Sequence, residues 1–154
     1  MTQGNSRALA AICWAGLVCG CVDITAAFVT WWPKGITPAR ILRGISAGLL
    51  GISKARAGGW KTAALGLGLH FFIAFTWATV FYVASRKIEF MTRQAIATGV
   101  LYGVMVYLVM YWVVKPLSLV PRSTFSWSVT IVAVLTHIVC VGLPISLVVK
   151  KVAG

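Results

Sequence analysis

Three ionisable side chains lie inside long apolar runs of this sequence, where a charge is costly. Asp23 lies in the apolar run 8–32, and the sequence contains only one other acid, Glu89. The two histidines of the chain, His70 and His137, lie in the apolar runs 63–85 and 127–149. Ionisable residues inside membrane spans mark proton or ion pathways, and histidine changes its charge near neutral pH. These residue types therefore indicate proton binding or transfer.

The spacing of these residues predicts that they share one depth. If the runs are helices, each residue adds about 1.5 Å along the axis. Counted from the side on which the first and third runs end, Asp23, His70 and His137 lie about 10 to 15 Å deep. Tyr107, in the apolar run 95–114, reaches the same level. We therefore expect one polar layer that contains Asp23, His70 and His137, with Tyr107 beside it.

The helical faces that carry these residues are also rich in small side chains. Gly16, Gly20 and Asp23 share one face of the first run, and Gly66, His70 and Ala74 share one face of the second. Small residues let membrane helices approach closely, and polar side chains then hydrogen-bond across the interface. The polar layer should therefore point into a helix bundle.

Three interpretations of this layer remain open. The side chains can hydrogen-bond across helices and fix their register, or they can form a proton or ion path. His70 and His137 can also act as axial ligands of a haem, or form a two-histidine, one-carboxylate metal set with Asp23. The sequence contains neither the metalloprotease motif H-E-x-x-H nor the haem-attachment motif C-x-x-C-H. We assign no catalytic residue and predict that the protein is not an enzyme.

The elements that must position the layer are predicted to be transmembrane helices. Apolar residues make up 60% of the chain and charged residues 10%, against about 45–50% and about 25% in soluble domains. Four runs, 8–32, 63–85, 95–114 and 127–149, are long enough to cross about 30 Å of hydrocarbon. They lack the alternation of a β-barrel. We predict an all-α membrane protein with one domain, 1–154, whose four helices form two tandem hairpins.

The net charge of +12 does not indicate nucleic-acid binding. The fourteen Lys and Arg residues are spread over the loops and both tails, where such residues anchor spans to lipid phosphates. The predicted partner is therefore the lipid bilayer and not a nucleic acid. The first run is too long for the apolar core of a signal peptide, so we expect it to be an uncleaved anchor.

A fifth apolar stretch, 40–53, is too short to cross the membrane. Ile41, Ile45, Leu49 and Ile52 fall near one helical face. We expect an interfacial amphipathic helix with its apolar side toward lipid, and a short re-entrant segment is the alternative. Gly58 and Gly59 predict the turn into the second span.

The sequence also contains an internal repeat. At one constant offset, Gly16 and Gly20 correspond to Gly99 and Gly103. Pro33 and Pro38 correspond to Pro116 and Pro121 at the same offset. Each half thus begins with a G-x-x-x-G and places two prolines after its first span. The pattern predicts two hairpins related by an axis along the membrane normal.

In these motifs the chain resembles the YagU-like group of uncharacterised bacterial inner-membrane proteins. The shared features are the glycine pairs and prolines of the repeat, His70 followed by Tyr82, and His137 followed by Lys150 and Lys151. The stretch 40–60 departs from that group. The resemblance implies a multi-pass protein of the bacterial inner membrane with four spans, and it implies no reaction.

Sequence alone therefore favours a non-enzymatic integral membrane protein that packs as an accessory or structural subunit in a larger membrane complex, with other subunits or with itself. The loops are too short for a soluble catalytic domain. The alternative is a small proton or ion conduit through Asp23, His70 and His137. The third hypothesis is a redox protein that binds haem or a metal.

Overall fold

Four of the helices in this protein are long and apolar enough to cross a membrane. The structure, a computed structural model, describes residues 3–121 and 125–153, with side chains from residue 5 onward. The helices are, in chain order, α1 (Gln3–Trp31), α2 (Pro38–Leu50), α3 (Ile52–Ala57), α4 (Gly59–Lys87), α5 (Phe90–Arg93), α6 (Ala95–Leu117) and α7 (Trp127–Ala153). Helices make up 90% of the structure. The prediction of an all-α, multi-pass membrane protein with four spans is confirmed.

The four spans, α1, α4, α6 and α7, form a bundle in which α1 lies between α4 and α7, and α6 packs on α7. We call the end where α1 begins and α7 ends the terminal end, and the end that carries α2 and α3 the loop end. Near the terminal end the core is closed by fully buried side chains, among them Ala15, Phe81, Ile145 and Val149. The Tyr102 hydroxyl donates to the carbonyl of Trp77 at 2.7 Å and joins α6 to α4.

The glycine pairs lie where each span meets the other span of its own hairpin. On α1, Gly16 and Gly20 face the rings of Phe75 and Phe71 on α4. On α6, Gly99 and Gly103 face backbone atoms of α7. A side chain at Gly103 would collide with the backbone of His137 and Ile138. The first hairpin therefore fills the space beside its glycines with aromatic rings, and the second brings two backbones into contact.

The helix predicted at 40–53 is present with shifted bounds. It begins earlier, at Pro38, and ends at Leu50, because Gly51, with a φ of 78°, separates α2 from α3. A left-handed φ favours glycine, because other residues meet a steric penalty there. On the apolar face of α2, Ile41 and Ile45 lie against the bundle, whereas Leu49 is exposed. At the crossing of α2 and α4, Gly66 leaves room for the carbonyl of Leu42.

Two spans contain a π-helical turn shortly before a proline. The turn Met110–Val114 in α6 precedes Pro116, and the turn His137–Gly142 in α7 precedes Pro144. Proline has no N–H, so the helical hydrogen bond to the carbonyl four residues earlier is lost and the helix deforms locally. The irregularity that Pro144 introduces into the fourth span is therefore this π turn, which begins at His137.

Candidate functional site

A partly open cavity of about 290 Å³ is lined by all three of the predicted polar-layer residues. Asp23 comes from α1, His70 from α4 and His137 from the π turn of α7. Most of the remaining wall is apolar, with Ile73, Trp77 and Val106 among the lining residues. Three distant segments of the sequence thus place their ionisable groups around one space. We call this space the Asp23 cavity.

Each histidine is held in one orientation by a backbone carbonyl. His70 Nε2 lies 2.9 Å from the carbonyl oxygen of Gly20, and His137 Nδ1 lies 2.8 Å from that of Ala133. A carbonyl oxygen only accepts hydrogen bonds, so these two nitrogens carry the proton. Nδ1 of His70 and Nε2 of His137 are then the nitrogens that can accept a proton. No residue in the described part of the chain bonds to either of them.

Asp23 is the acidic partner of both imidazoles. Its carboxylate interacts electrostatically with His70 and His137. It makes no hydrogen bond or ion pair with residues 3–121 or 125–153. The other acid, Glu89, is exposed at the terminal end and pairs with Arg93 at 3.0 Å. A carboxylate on the wall of a largely apolar cavity, with two proton acceptors around it, is well placed to bind a proton or a small cation.

Tyr107 lies one layer behind the cavity wall. Its ring packs edge-on against the ring of His137, with centroids 5.6 Å apart, and stacks on Tyr111 at 5.8 Å. Tyr107 is buried and is not among the lining residues of the cavity. It therefore contributes to the position of His137 and not to the cavity surface.

A second cavity lies beside the site, on the side of the loop end. It has a volume of about 350 Å³ and is lined by Thr30, Lys34, Ser128 and Thr136. Ala27 and His137 line both this cavity and the Asp23 cavity. His137 thus lies between the two spaces. We call the second space the Lys34 cavity.

Helix α2 covers the Asp23 cavity on the side where α4 and α6 separate. Ile41 and Ile45 line the cavity from α2. Past α6, the backbone N–H of Leu119 donates to the carbonyl of Gly48 at 2.9 Å, so α2 is also tied to the end of α6. The sequence assigned α2 to the membrane interface and did not assign it to the site. Nothing local in the sequence shows which face of a short helix meets the bundle.

Helix α2 contains the residue spacing of a catalytic motif. Residues 44–48 have the spacing G-x-S-x-G of a hydrolase nucleophile. That chemistry requires a sharp turn between a strand and a helix, which exposes the serine. Ser46 instead lies within α2, is fully buried, and donates its hydroxyl to the carbonyl of Arg43 at 3.0 Å. The surroundings of Ser46 therefore do not support a nucleophile.

The arrangement offers little support for a metal or haem. In the described part of the chain, no three or more His, Cys, Asp and Glu side chains are grouped closely enough to hold a metal ion. The cavity of about 290 Å³ lies at the lower limit of about 300 Å³ for small-molecule sites. The site is therefore better suited to a proton or a small ion than to a cofactor.

The expected kinship with the YagU-like group stays a prediction that rests on the motifs alone. Comparisons of the chain with protein-family models, with curated proteins and with solved structures found no match.

Proposed function

We propose that the protein is a small proton conduit whose central binding site consists of Asp23, His70 and His137. One observation carries the proposal: a carboxylate that none of the described residues hydrogen-bonds shares a cavity with two histidines, and each histidine has one ring nitrogen fixed on a carbonyl. This arrangement leaves the other ring nitrogen of each imidazole to accept a proton. The resulting imidazolium is stabilised by the nearby carboxylate, since charges interact strongly in a low dielectric.

The order of the cavities gives the direction of entry. A proton arrives from the loop end through the Lys34 cavity, whose wall carries three hydroxyl groups, from Thr30, Ser128 and Thr136. It binds to Nε2 of His137, passes to the carboxylate of Asp23, and reaches Nδ1 of His70. Water in the two cavities bridges distances that are too long for direct transfer.

The terminal end acts as the gate in this proposal. Ala15, Phe81 and Ile145 are fully buried between the Asp23 cavity and that end. Release on that side therefore requires α1 and α7 to move apart. The π turn of α7 lies beside the site, as π turns frequently do at functional sites, and its irregular hydrogen bonding supplies a place where α7 can bend.

Liposome transport tests the conduit directly. Purified protein is reconstituted into vesicles that contain a pH-sensitive dye, and a pH step and a potassium diffusion potential are imposed. We expect proton flux above that of protein-free vesicles, and we expect Asp23→Asn to abolish the excess. Glu89→Gln is the matched control, since it removes the other acid from an exposed position. No excess flux in the wild type, or equal flux in wild type and Asp23→Asn, would reject the conduit.

A second candidate function is an accessory subunit in a complex of the bacterial inner membrane. The observation that favours it is the outer face of α4, where Ala64 and Gly68 are exposed and no other atoms lie within 4 Å of a side chain placed at Gly68. Small residues four apart allow close approach of another helix. Native mass spectrometry of gently solubilised membranes should then show a complex that Gly68→Leu dissociates. A monomer in the wild type would count against a subunit role.

A further inference from the structure

A basic groove lies on the face of α2 that points away from the Asp23 cavity. It has a volume of about 600 Å³ and is lined by Arg40 and Arg43 of α2 and Arg56 of α3. The wall between the arginines consists largely of small residues, among them Gly44, Ala47 and Ala55. The break at Gly51 between α2 and α3 brings Arg56 into the same groove as the arginines of α2. We call this space the arginine groove.

The positive charge of the arginine groove has no acidic partner among residues 3–121 and 125–153. The sequence contains two acids. Asp23 lines the Asp23 cavity, and Glu89 pairs with Arg93 at the terminal end. In the described part of the chain, the guanidinium groups of Arg40, Arg43 and Arg56 make no ion pair. Their charge must therefore be balanced by a group from outside the protein.

The orientation of the groove favours an anion with several oxygens. The Nε of Arg43 donates to the carbonyl of Ala39 at 3.2 Å, which directs the terminal nitrogens of this half-buried side chain. Arg40 lies in the first turn of α2, where the positive end of the helix dipole adds to its charge. A guanidinium presents a planar set of donors that matches phosphate in two parallel hydrogen bonds.

The position of the groove indicates where this phosphate comes from. Three tryptophans near the loop end are largely exposed: Trp32 at 64%, Trp60 at 80% and Trp127 at 73%. Exposed tryptophans at the ends of spans mark the level of lipid headgroups. We propose that the arginine groove binds the phosphate of an anionic phospholipid headgroup. This site is separate from the proton site and does not depend on it.

Lipid titration by native mass spectrometry tests the proposal. The purified, delipidated full-length protein is titrated with phosphatidylglycerol and with zwitterionic phosphatidylcholine. We expect phosphatidylglycerol to bind at least about tenfold more tightly. Arg40→Gln combined with Arg43→Gln should weaken that binding about tenfold, because each arginine donates charge-assisted hydrogen bonds. Equal binding of the two lipids would reject the proposal.

Two control experiments test whether the loss of lipid binding is specific to the arginine groove. Lys150→Gln combined with Lys151→Gln removes two exposed positive charges from the terminal end and should leave the affinity unchanged. An equal loss in both double variants would show that net charge alone attracts the lipid, and would overturn the site. Arg56→Gln, on a different helix, provides the decisive comparison if the first double variant does not fold.

A competition experiment with inorganic phosphate shows whether the bound anion is a lipid headgroup or a soluble ion. If the headgroup and its position at the interface matter, millimolar phosphate should leave bound phosphatidylglycerol in place. If phosphate displaces the bound lipid as completely as excess phosphatidylglycerol does, the lipid assignment is rejected and the groove is a site for a soluble anion.

Discussion

At the scale of single residues, a charge on Asp23 inside a membrane helix lowers the stability of the protein. The effect of removing this charge therefore tests the role of Asp23. The structure gives this carboxylate two imidazoles within electrostatic range and no hydrogen bond from the described residues. A charge at the centre of a membrane helix costs about 2.5–3.5 kcal/mol. A residue retained only to fix helix packing would instead be expected to make hydrogen bonds that offset this cost.

We predict that Asp23→Asn stabilises the protein while it abolishes proton flux. The amide keeps the shape of the carboxylate and removes the charge, so a gain of about 1 kcal/mol would raise the melting temperature in detergent by about 2–4 °C. Glu89→Gln should leave the melting temperature unchanged, because exposed ion pairs contribute little. A lower melting temperature for Asp23→Asn would show that the carboxylate has a structural role.

His137 and His70 should differ in their effect on proton uptake. His137 lines both cavities, whereas His70 lines only the Asp23 cavity of these two. His137→Gln should therefore reduce uptake from the loop end about 10²-fold or more, the usual contribution of a positioned proton carrier, and His70→Gln should reduce it less. The liposome assay with the loop end outward measures both. A larger effect of His70→Gln would contradict the proposed order of transfer.

At the scale of elements, α2 separates the two sites of the molecule. Its residues Ile41 and Ile45 cover the Asp23 cavity, and its residues Arg40 and Arg43 line the arginine groove. The helix is held at its crossing with α4, where Gly66 meets the carbonyl of Leu42. Displacement of α2 should thus expose the Asp23 cavity.

A substitution at Gly66 tests whether α2 covers the Asp23 cavity. Gly66→Leu should push α2 away, because the new side chain meets backbone that cannot move locally. Cys19, which lines the cavity, should then react faster with a small maleimide in a variant without Cys13, Cys21 and Cys140. Gly68→Leu, on the exposed side of the same helix, should leave Cys19 protected. Equal labelling in the two variants would show that α2 does not shield the cavity.

The two glycine pairs should tolerate substitution differently. Gly103→Ala forces the backbones of α6 and α7 apart and should cost about 1–3 kcal/mol, as overpacking does. Gly16→Ala meets only the ring of Phe75, which can rotate, so its cost should be smaller. Melting temperatures of the two variants measure the difference. Equal costs would mean that the ring is as rigidly held as the backbone.

At the scale of the whole molecule, the hairpins depend on each other through α1. This helix contacts α4 in its own hairpin and α7 in the other. We predict that fragments 1–88 and 89–154, expressed together, associate and co-purify through a tag on one of them. The cut falls after Ile88, at the end of α4, and it separates the two partners of one backbone hydrogen bond, from the N–H of Met91 to the carbonyl of Ile88. Recovery of the tagged fragment alone would show that the connection between the hairpins is required.

Sequence predicts the parts of this architecture that depend on helix geometry. The four spans follow from the length of the apolar runs, and the common depth of Asp23, His70 and His137 follows from the fixed rise of a helix. The break at Gly51, the cover by α2 and the arginine groove depend on contacts between distant segments. The crossing of α2 and α4 at Gly66 places α2 on the bundle. A glycine in a span has many structural roles, so the sequence does not show which segment it contacts.

The direction in which His137 points depends on the number of residues in the π turn of α7. A π turn holds about one residue more than a regular turn, and each residue of an α-helix turns the chain by about 100°. Removal of one residue from this turn would restore a regular helix and rotate His137 by about that angle relative to the residues that follow the turn. The number of residues in the turn, and not the composition of the helix, therefore sets whether His137 can share a cavity with Asp23.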